Sequence, residues 1–160
     1  TATVRRDGSS KFGANNRYGI FPSVAFAYNM HNGILSGSGF DEFKLRLGWG
    51  QTGNHEFPAG ASQERFNLNP GGGASQENAA NPDLKWETST TMNIGIDFAL
   101  FDYKLSGVIE YFNRSTEDLL LDPFVSEPGP PVRAWRNIDG TVVNSGIELG
   151  LTGFIIENKL

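Results

Sequence analysis

The sequence predicts an all-β protein: an antiparallel up-and-down sheet of about six long strands that forms a segment of a transmembrane β-barrel. The first observation behind this prediction is a long alternation of apolar and polar residues. The second is a strand too long for a small soluble domain. The third is that short and long connections fall at opposite ends of the sheet, as in outer-membrane barrels.

The clearest strand signal lies in residues 84–100, LKWETSTTMNIGIDFAL. Its even-numbered positions are mostly apolar, from Leu84 through Ile94 to Leu100, whereas its odd-numbered positions are mostly polar or small. This period of two is typical of a strand with one apolar and one polar face. At about 3.3 Å per residue the stretch would extend about 56 Å, whereas strands in globular domains usually have about 5 to 6 residues. We therefore interpret it as a tilted, membrane-spanning part of a barrel wall.

Three shorter strand signals precede this stretch. Residues 1–6 are interpreted as the end of a strand, and alternation returns in residues 20–30. Pro22 is expected near the start of the second strand because it has no N–H to donate to a sheet. Residues 42–50 form the next predicted strand, and the two cations on its polar side suit a watery lumen better than a dry core.

A hairpin is predicted around the short connection Phe101-Asp102. The partner strand covers residues 103–116, and placing Leu100 opposite Tyr103 sets apolar residues against apolar residues throughout. A register slip of one residue would break this agreement, but a slip of two would not.

The last predicted strand covers residues 138–156, with a bulge expected at residues 144–146. Residues 51–83 and the proline-rich residues 117–137 are long loops, which belong at the outer rim of a barrel. Together with the loop at residues 8–17 they lie at one end, and the short turns lie at the other. Aromatic girdles are expected near the turns (Tyr28, Phe43, Phe98, Phe101 and Tyr103) and near the loops (Trp49, Trp86 and Tyr111).

Chain length, net charge and cysteine content limit the class of protein. A chain of 160 residues is too short to close a barrel of such strands, so we expect a longer polypeptide, and the first residues do not resemble a signal peptide. No run of about 18 apolar residues predicts a transmembrane helix. The net charge of −5 argues against nucleic-acid binding, and the absence of cysteine excludes disulfides and thiolate metal sites.

Five phrases, in order, carry a family resemblance. They are RRDGSSKFGANNRYGIFPSVAFAY, DEFKLRLGWGQTGN, NPDLKWETSTTMNIGIDFALF, LSGVIEYFNRSTEDLLL and NSGIELGL. Together they resemble the C-terminal part of the barrel in SusC/RagA-like TonB-linked transporters of the outer membrane. The likeness covers most of the chain and rests on the order of the phrases, since no single phrase would suffice.

This resemblance implies a barrel of about 22 strands with a plug inside it, energised through TonB. Residues 1–160 would then be a partial barrel domain without plug, signal peptide or final strands. The implied partners are outer-membrane lipid, a SusD-like surface lipoprotein, TonB and an oligosaccharide or peptide substrate. The implied location is the outer membrane of a Gram-negative, Bacteroidetes-like bacterium.

Charged residues on the predicted polar face are candidates for the lumen. Their plain interpretation is a wet, charge-balanced inner wall that also contacts the plug, and the sharper one is a lining that selects which solutes pass. The candidate lumen-lining residues are Lys44, Arg46, Lys85, Glu87, Asp97, Lys104, Glu110, Arg114 and Glu148.

Aromatic and cationic residues in the long loops are candidates for binding. Exposed aromatic rings could stack on sugars or hold a lid protein. The candidate ligand or lid contacts are Phe57, Arg65, Phe66, Arg133, Trp135 and Arg136.

Enzymatic and cofactor functions find little support in the sequence. Neighbouring acids such as Asp41 and Glu42 would point to opposite faces of a strand, so a paired-carboxylate hydrolase is not favoured. His31 and His55 lie on different connections, so neither a shared metal site nor a cofactor is predicted. The alternative class is a soluble all-β carbohydrate-binding or adhesive module, whose apolar face would pack under a second sheet.

Overall fold

The computed structural model describes residues 1–31, 33, 37–125 and 132–154, and these form two β-sheets. Within this part of the chain no helix is long and apolar enough to cross a bilayer. The strands are β1 (Ala2–Gly8), β2 (Tyr18–Asn29), β3 (Phe40–Asn54), β4 (Arg65–Leu68), β5 (Ala74–Asn78), β6 (Glu87–Leu100), β7 (Leu105–Leu121), β8 (Phe124–Val125), β9 (Val132–Arg133) and β10 (Arg136–Gly153).

The larger sheet has six strands in the order β1-β2-β3-β6-β7-β10, and each adjacent pair is antiparallel. Each long strand therefore pairs with the next long strand in the chain, which is the up-and-down topology that the alternation predicts. The predicted all-β fold with long antiparallel strands is confirmed. The connections β1–β2, β3–β6 and β7–β10 all lie at one end of the sheet, here called the loop end, and the connections β2–β3 and β6–β7 lie at the turn end.

The register between strands separates an apolar face from a polar one. Leu47 pairs with Ile94, Ile94 with Tyr111, and Tyr111 with Ile147, so one row of apolar side chains crosses four strands. The residues that the structure describes leave the apolar face uncovered: Met92 is 43% exposed, and Ile147 is 75% exposed. A soluble sandwich would bury this face under a second sheet, so its exposure argues against the alternative class.

The strand predicted at residues 84–100 begins later than its pattern indicates. β6 starts at Glu87, because Leu84 and Trp86 leave the sheet and are buried at the loop end. The N–H of Leu84 donates to the carbonyl of Asn81 at 3.3 Å, which places residues 81–84 in a turn. Leu84 and Trp86 therefore fit the alternation of β6 in the sequence but pack in a separate buried core at the loop end.

The β6–β7 connection is longer than predicted. Phe101, Asp102 and Tyr103 have φ angles of 59°, 57° and 60°, and the N–H of Tyr103 donates to Oδ2 of Asp41 at 3.0 Å. Residues 101–104 therefore form the turn, and Leu100 pairs with Leu105. The predicted pairing of Leu100 with Tyr103 is wrong by two residues, a shift that preserves the faces and that alternation cannot detect.

The bulge between β7 and β10 also differs from the prediction. Residues 144–146 pair continuously with β7, and the register instead shifts between Ile138 and Thr141. Two residues of β10 there oppose Asp118, whose φ is 57°. Two residues facing one is the arrangement of a β-bulge, and the left-handed conformation of Asp118 accompanies it.

The long connections contain a second, smaller sheet in the order β4-β5-β9-β8. β4 and β5 form an antiparallel hairpin within the predicted loop at residues 51–83. β8 and β9 lie in the connection between β7 and β10, and Asn78 of β5 pairs in parallel with Arg133 of β9. The two loops that lack periodicity are therefore joined to each other by backbone pairing.

The left-handed turn at the turn end gives a stability prediction. In the full-length protein, Asp102→Val should lower the free energy of unfolding by about 1 to 2 kcal/mol, because a β-branched residue is disfavoured at positive φ. Asp102→Asn is the matched control, since asparagine tolerates this conformation. Urea unfolding in lipid vesicles measures both variants, and equal stability of the two would contradict the assigned turn.

Candidate functional site

The polar face of the six-stranded sheet carries most of the predicted lumen residues. The register places Lys44, Arg46, Glu87, Asp97, Glu110, Arg114 and Glu148 on this face. Lys85 and Lys104 lie outside the strands, the first just before β6 at the loop end and the second in the β6–β7 turn. Seven of the nine charged candidates therefore lie on one strand surface, and two flank it.

Arg46 is the centre of the charge network on this face. Its Nε donates to Oδ2 of Asp97 at 2.8 Å, and its Nη2 donates to Oδ1 of the same carboxylate at 2.9 Å. The same Nη2 donates to Oε2 of Glu110 at 3.3 Å. This two-point geometry orients the guanidinium more firmly than a single contact would. The network joins β3, β6 and β7.

Glycine makes room for this guanidinium. Gly95 lies between Arg46 and Glu110 in the cross-strand row. A Cβ at Gly95 would lie 2.9 Å from Nη2 and 3.0 Å from Cζ of Arg46. Arg46 therefore lies flat across β6, and its position depends on the missing side chain.

Like charges meet next to this network. Glu110 of β7 pairs directly with Glu148 of the edge strand β10, and Glu148 is exposed. Directly opposed like charges are destabilising in a sheet, so the cation at Arg46 offsets part of this repulsion. The sequence shows the charges, but the carboxylate pair follows only from the register.

Hydrogen bonds connect neighbouring strands in the half of the polar face nearest the loop end. The carboxylate of Glu87 accepts from Nδ2 of Asn54 at 3.1 Å and from the N–H of Leu120 at 3.1 Å. Nη2 of Arg114 donates to Oγ of Ser89 at 3.3 Å. Glu87 and Arg114, like Arg46, Asp97 and Glu110, thus have hydrogen-bond partners in the wall itself.

A buried cluster, here called the aromatic core, lies at the loop end. The ring of Phe12 lies 4.9 Å from Phe57 and 4.5 Å from Trp86, and Trp86 lies 5.5 Å from Phe21. Its members are Phe12, Phe21, Phe57, Ala61, Leu84 and Trp86, with the partly buried Leu120 and Trp135 packed against them.

The structure separates the predicted loop contacts into buried and exposed residues. Phe57 is only 5% exposed, so the expectation of an exposed ring is wrong for this residue. Trp135 is partly buried, with its ring 5.7 Å from Phe57. Their apolar surfaces pack against each other in a shared core, as hydrophobic burial favours.

Four predicted contacts remain on the surface. Arg65, Phe66, Arg133 and Arg136 are exposed. Arg65 pairs with Glu77 at 3.7 Å, and Arg133 pairs with Asp122 at 3.0 Å. Phe66 is 54% exposed on β4 and is therefore the most accessible aromatic candidate of the loop set.

Several residues at this end were not identified from the sequence. Phe12 is a single aromatic residue in a polar loop, and Leu84 and Trp86 continue the alternation of β6, so no periodic signal assigns them to a separate core. Trp86 was expected in the loop-side girdle, and its burial corrects that prediction. The side chain of Asn137 accepts from the N–H of Lys85 at 2.9 Å and donates to its carbonyl at 2.8 Å.

Metal binding receives no geometric support from the residues that the structure describes, where no group of three potential ligands occurs. His55 packs its ring 5.3 Å from Trp86 at the loop end, whereas His31 lies at the turn end. Asp41 accepts the hydrogen bond from the turn at Tyr103. These residues have structural neighbours rather than a shared site.

Sequence comparison identifies one family. The model described as TonB dependent receptor-like, beta-barrel matches residues 1–156. TonB-dependent receptor P3 of Formosa agariphila is 36% identical across 99% of this chain, which covers 17% of that protein. TonB-dependent receptor SusC of Bacteroides thetaiotaomicron is 36% identical across 75% of this chain, which covers 13% of that receptor.

Structural comparison agrees with the sequence match. A chain of the RagAB peptide importer in its closed-closed state superposes with a TM-score of 0.88 and 32% sequence identity. The match covers 99% of this chain and 18% of that chain. The chain thus spans less than a fifth of the length of these relatives.

The close contact between Gly95 and Arg46 should make this glycine important for stability. Gly95→Ala should lower the unfolding free energy of the full-length protein by about 1 kcal/mol, because the new Cβ displaces the guanidinium from its carboxylate partners. Gly48→Ala is the matched control, since a Cβ there meets only Cβ of Asn93 at 3.9 Å. Urea unfolding in lipid vesicles provides the measurement.

A second background separates this steric cause from a general intolerance of alanine. With Arg46→Gln present, the additional cost of Gly95→Ala should shrink, because a shorter side chain does not lie across β6. A cost that is undiminished in the double variant would contradict the assigned role of the glycine.

Proposed function

Because this chain belongs to the TonB-dependent receptor-like β-barrel family, we propose that it forms part of the wall and outer rim of an outer-membrane, TonB-dependent nutrient importer. The observation that carries the proposal is the uncovered apolar face of the six-stranded sheet. Large exposed apolar surfaces mark contacts with membranes or partners. In a barrel wall this face contacts lipid, and each strand's backbone is paired with its neighbours.

The polar face then lines the interior of the barrel. Arg46, Asp97 and Glu110 already compensate one another, which suits a hydrated, largely charge-balanced wall that contacts solutes and a plug. Lys44 and Glu148 are proposed to face the lumen as well. Lys85 and Lys104 flank the lining at its two ends rather than forming part of it.

The loop end is proposed to face the cell exterior. Long loops outside and short turns inside is the arrangement of bacterial outer-membrane barrels. Arg65, Phe66, Arg133 and Arg136 would then be available to a solute or a lid protein, with Phe57 and Trp135 supporting the loops from beneath.

The substrate and partners are proposed from the relatives. The structurally matched relative is named as a peptide importer, so a peptide or an oligosaccharide is the proposed cargo, with a SusD-like lipoprotein as lid and TonB as energy source. The proposed role is transport rather than catalysis. Co-purification of the full-length receptor with its lid, followed by mass spectrometry of the bound compound, identifies the cargo.

The lipid-facing assignment predicts unequal effects of arginine on the two faces of β6. In the full-length receptor, Ile94→Arg or Ile96→Arg should greatly reduce the folded protein in outer membranes, because arginine near the bilayer midplane costs about 2 to 4 kcal/mol. Asn93→Arg on the polar face should have a smaller effect. Heat-modifiable mobility on gels measures the folded fraction, and equal yields for both faces would refute the assignment.

The orientation of the loop end is tested by labelling intact cells. Gly71→Cys places a thiol at the exposed β4–β5 turn, where no atom lies within 4 Å of the new Cβ, and a membrane-impermeant maleimide should label it from outside. Asp102→Cys at the turn end should react only after the outer membrane is opened. The reverse order of labelling would invert the proposed topology.

A further inference from the structure

Three separate connections contribute side chains to the aromatic core. Loop A is defined as residues 9–17, loop B as residues 55–86 and loop C as residues 122–125 together with 132–135. Phe12 of loop A lies 4.9 Å from Phe57 of loop B, and Phe57 lies 5.7 Å from Trp135 of loop C. The ring of Phe57 therefore joins the other two loops.

Hydrogen bonds to the backbone of loop B bind loop A to it. The N–H of Gly13 donates to the carbonyl of Leu84 at 3.3 Å, and Nδ2 of Asn16 donates to the carbonyl of Asp83 at 3.0 Å. A Cβ at Gly13 would clash with the backbone of Pro82. The close approach of the two chains at this point requires glycine.

Loop C is bound to loop B in the same manner. The N–H of Ala79 donates to the carbonyl of Arg133 at 2.9 Å, next to the parallel pairing of β5 and β9. Nδ2 of Asn81 donates to the carbonyl of Trp135 at 2.9 Å. Loop B thus contacts both neighbours through aromatic rings and through main-chain hydrogen bonds.

The loop assembly is also attached to the wall. Phe21 of β2 and Leu120 of β7 pack into the aromatic core from the sheet. A Cβ at Gly53, at the end of β3, would clash with the rings of Phe21 and Trp86. Three wall strands therefore meet the loops at a close-packed junction, where small changes in shape have energetic consequences.

We propose that loops A, B and C form one cooperative body centred on Phe57, which orders and opens as a unit rather than as three independent loops. A contact made on one loop then restrains the other two, because ordering one of them removes part of the conformational entropy of its neighbours. Such coupling is reciprocal. A substitution that loosens loop A should therefore loosen loop C, and a substitution in loop C should loosen loop A. This inference does not depend on the identity of the transported compound.

Hydrogen exchange of the full-length receptor in detergent, read by mass spectrometry, tests the proposal. Phe12→Ala in loop A should accelerate amide exchange about tenfold in loops B and C as well as in loop A. Removing a buried ring from a shared core loosens the packing of every loop that lines that core. Trp135→Ala should reciprocally accelerate exchange in loop A. Phe66→Ala is the matched control, since this ring is exposed on β4 and should change only its own hairpin.

Acceleration confined to loop A in Phe12→Ala, or to loop C in Trp135→Ala, would overturn the proposal. Protected amides in β6 and β7 establish in each case that the barrel wall remains intact. Should Phe12→Ala fail to assemble, Gly13→Ala separates loop A from Pro82 by a single methyl group, with Gly71→Ala as its control. The same spread of exchange across all three loops is then expected, and exchange confined to loop A again counts against it.

Discussion

The structure depends on backbone pairing between strands whose side chains alternate in character. Each pair in the six-stranded sheet has a fixed register, and a slip of one residue between β3, β6, β7 and β10 would place apolar side chains on the face that carries the charged ones. The row from Leu47 to Ile147 and the row from Arg46 to Glu148 are adjacent consequences of the same register. The backbone register and the separation of side chains into two faces therefore support each other. A change of register would alter both faces at once.

Hydrophobic burial is distributed unevenly over this molecule. The apolar face of the wall is open in the structure, whereas the buried hydrophobic residues are concentrated at the loop end around Phe12, Leu84 and Trp86. This distribution matches the proposed location, since lipid would cover the wall and only the loops need a core of their own. Long loops of a barrel rim lose much entropy on ordering, and a shared aromatic core compensates for part of that loss.

Much of the fold could be predicted because strand alternation is a local property. The strand class, the antiparallel order and the positions of the long loops follow from it, and so do the seven charged residues on the polar face. The two-residue error at Leu100 could not be avoided, because a slip of two leaves every residue on the same face. The bulge opposite Asp118 does change which residues of β10 share a face, but residues 138–143 (IDGTVV) do not alternate, so no pattern located it. The contacts at the loop end were harder to predict from the sequence. Phe57 cannot be distinguished from an exposed loop aromatic until the residues that cover it are known.

The sequence by itself determined which residues share a face, since the pleat of a strand allows only one answer for a given alternation. It also determined the family resemblance, through phrases that keep their order along the chain. Only the tertiary structure decided which residues meet across strands and loops: that Arg46 lies over Gly95, that Glu110 opposes Glu148, and that Phe12 is buried beside Phe57. These contacts join residues far apart in the chain, and their energy depends on distances that no local pattern specifies.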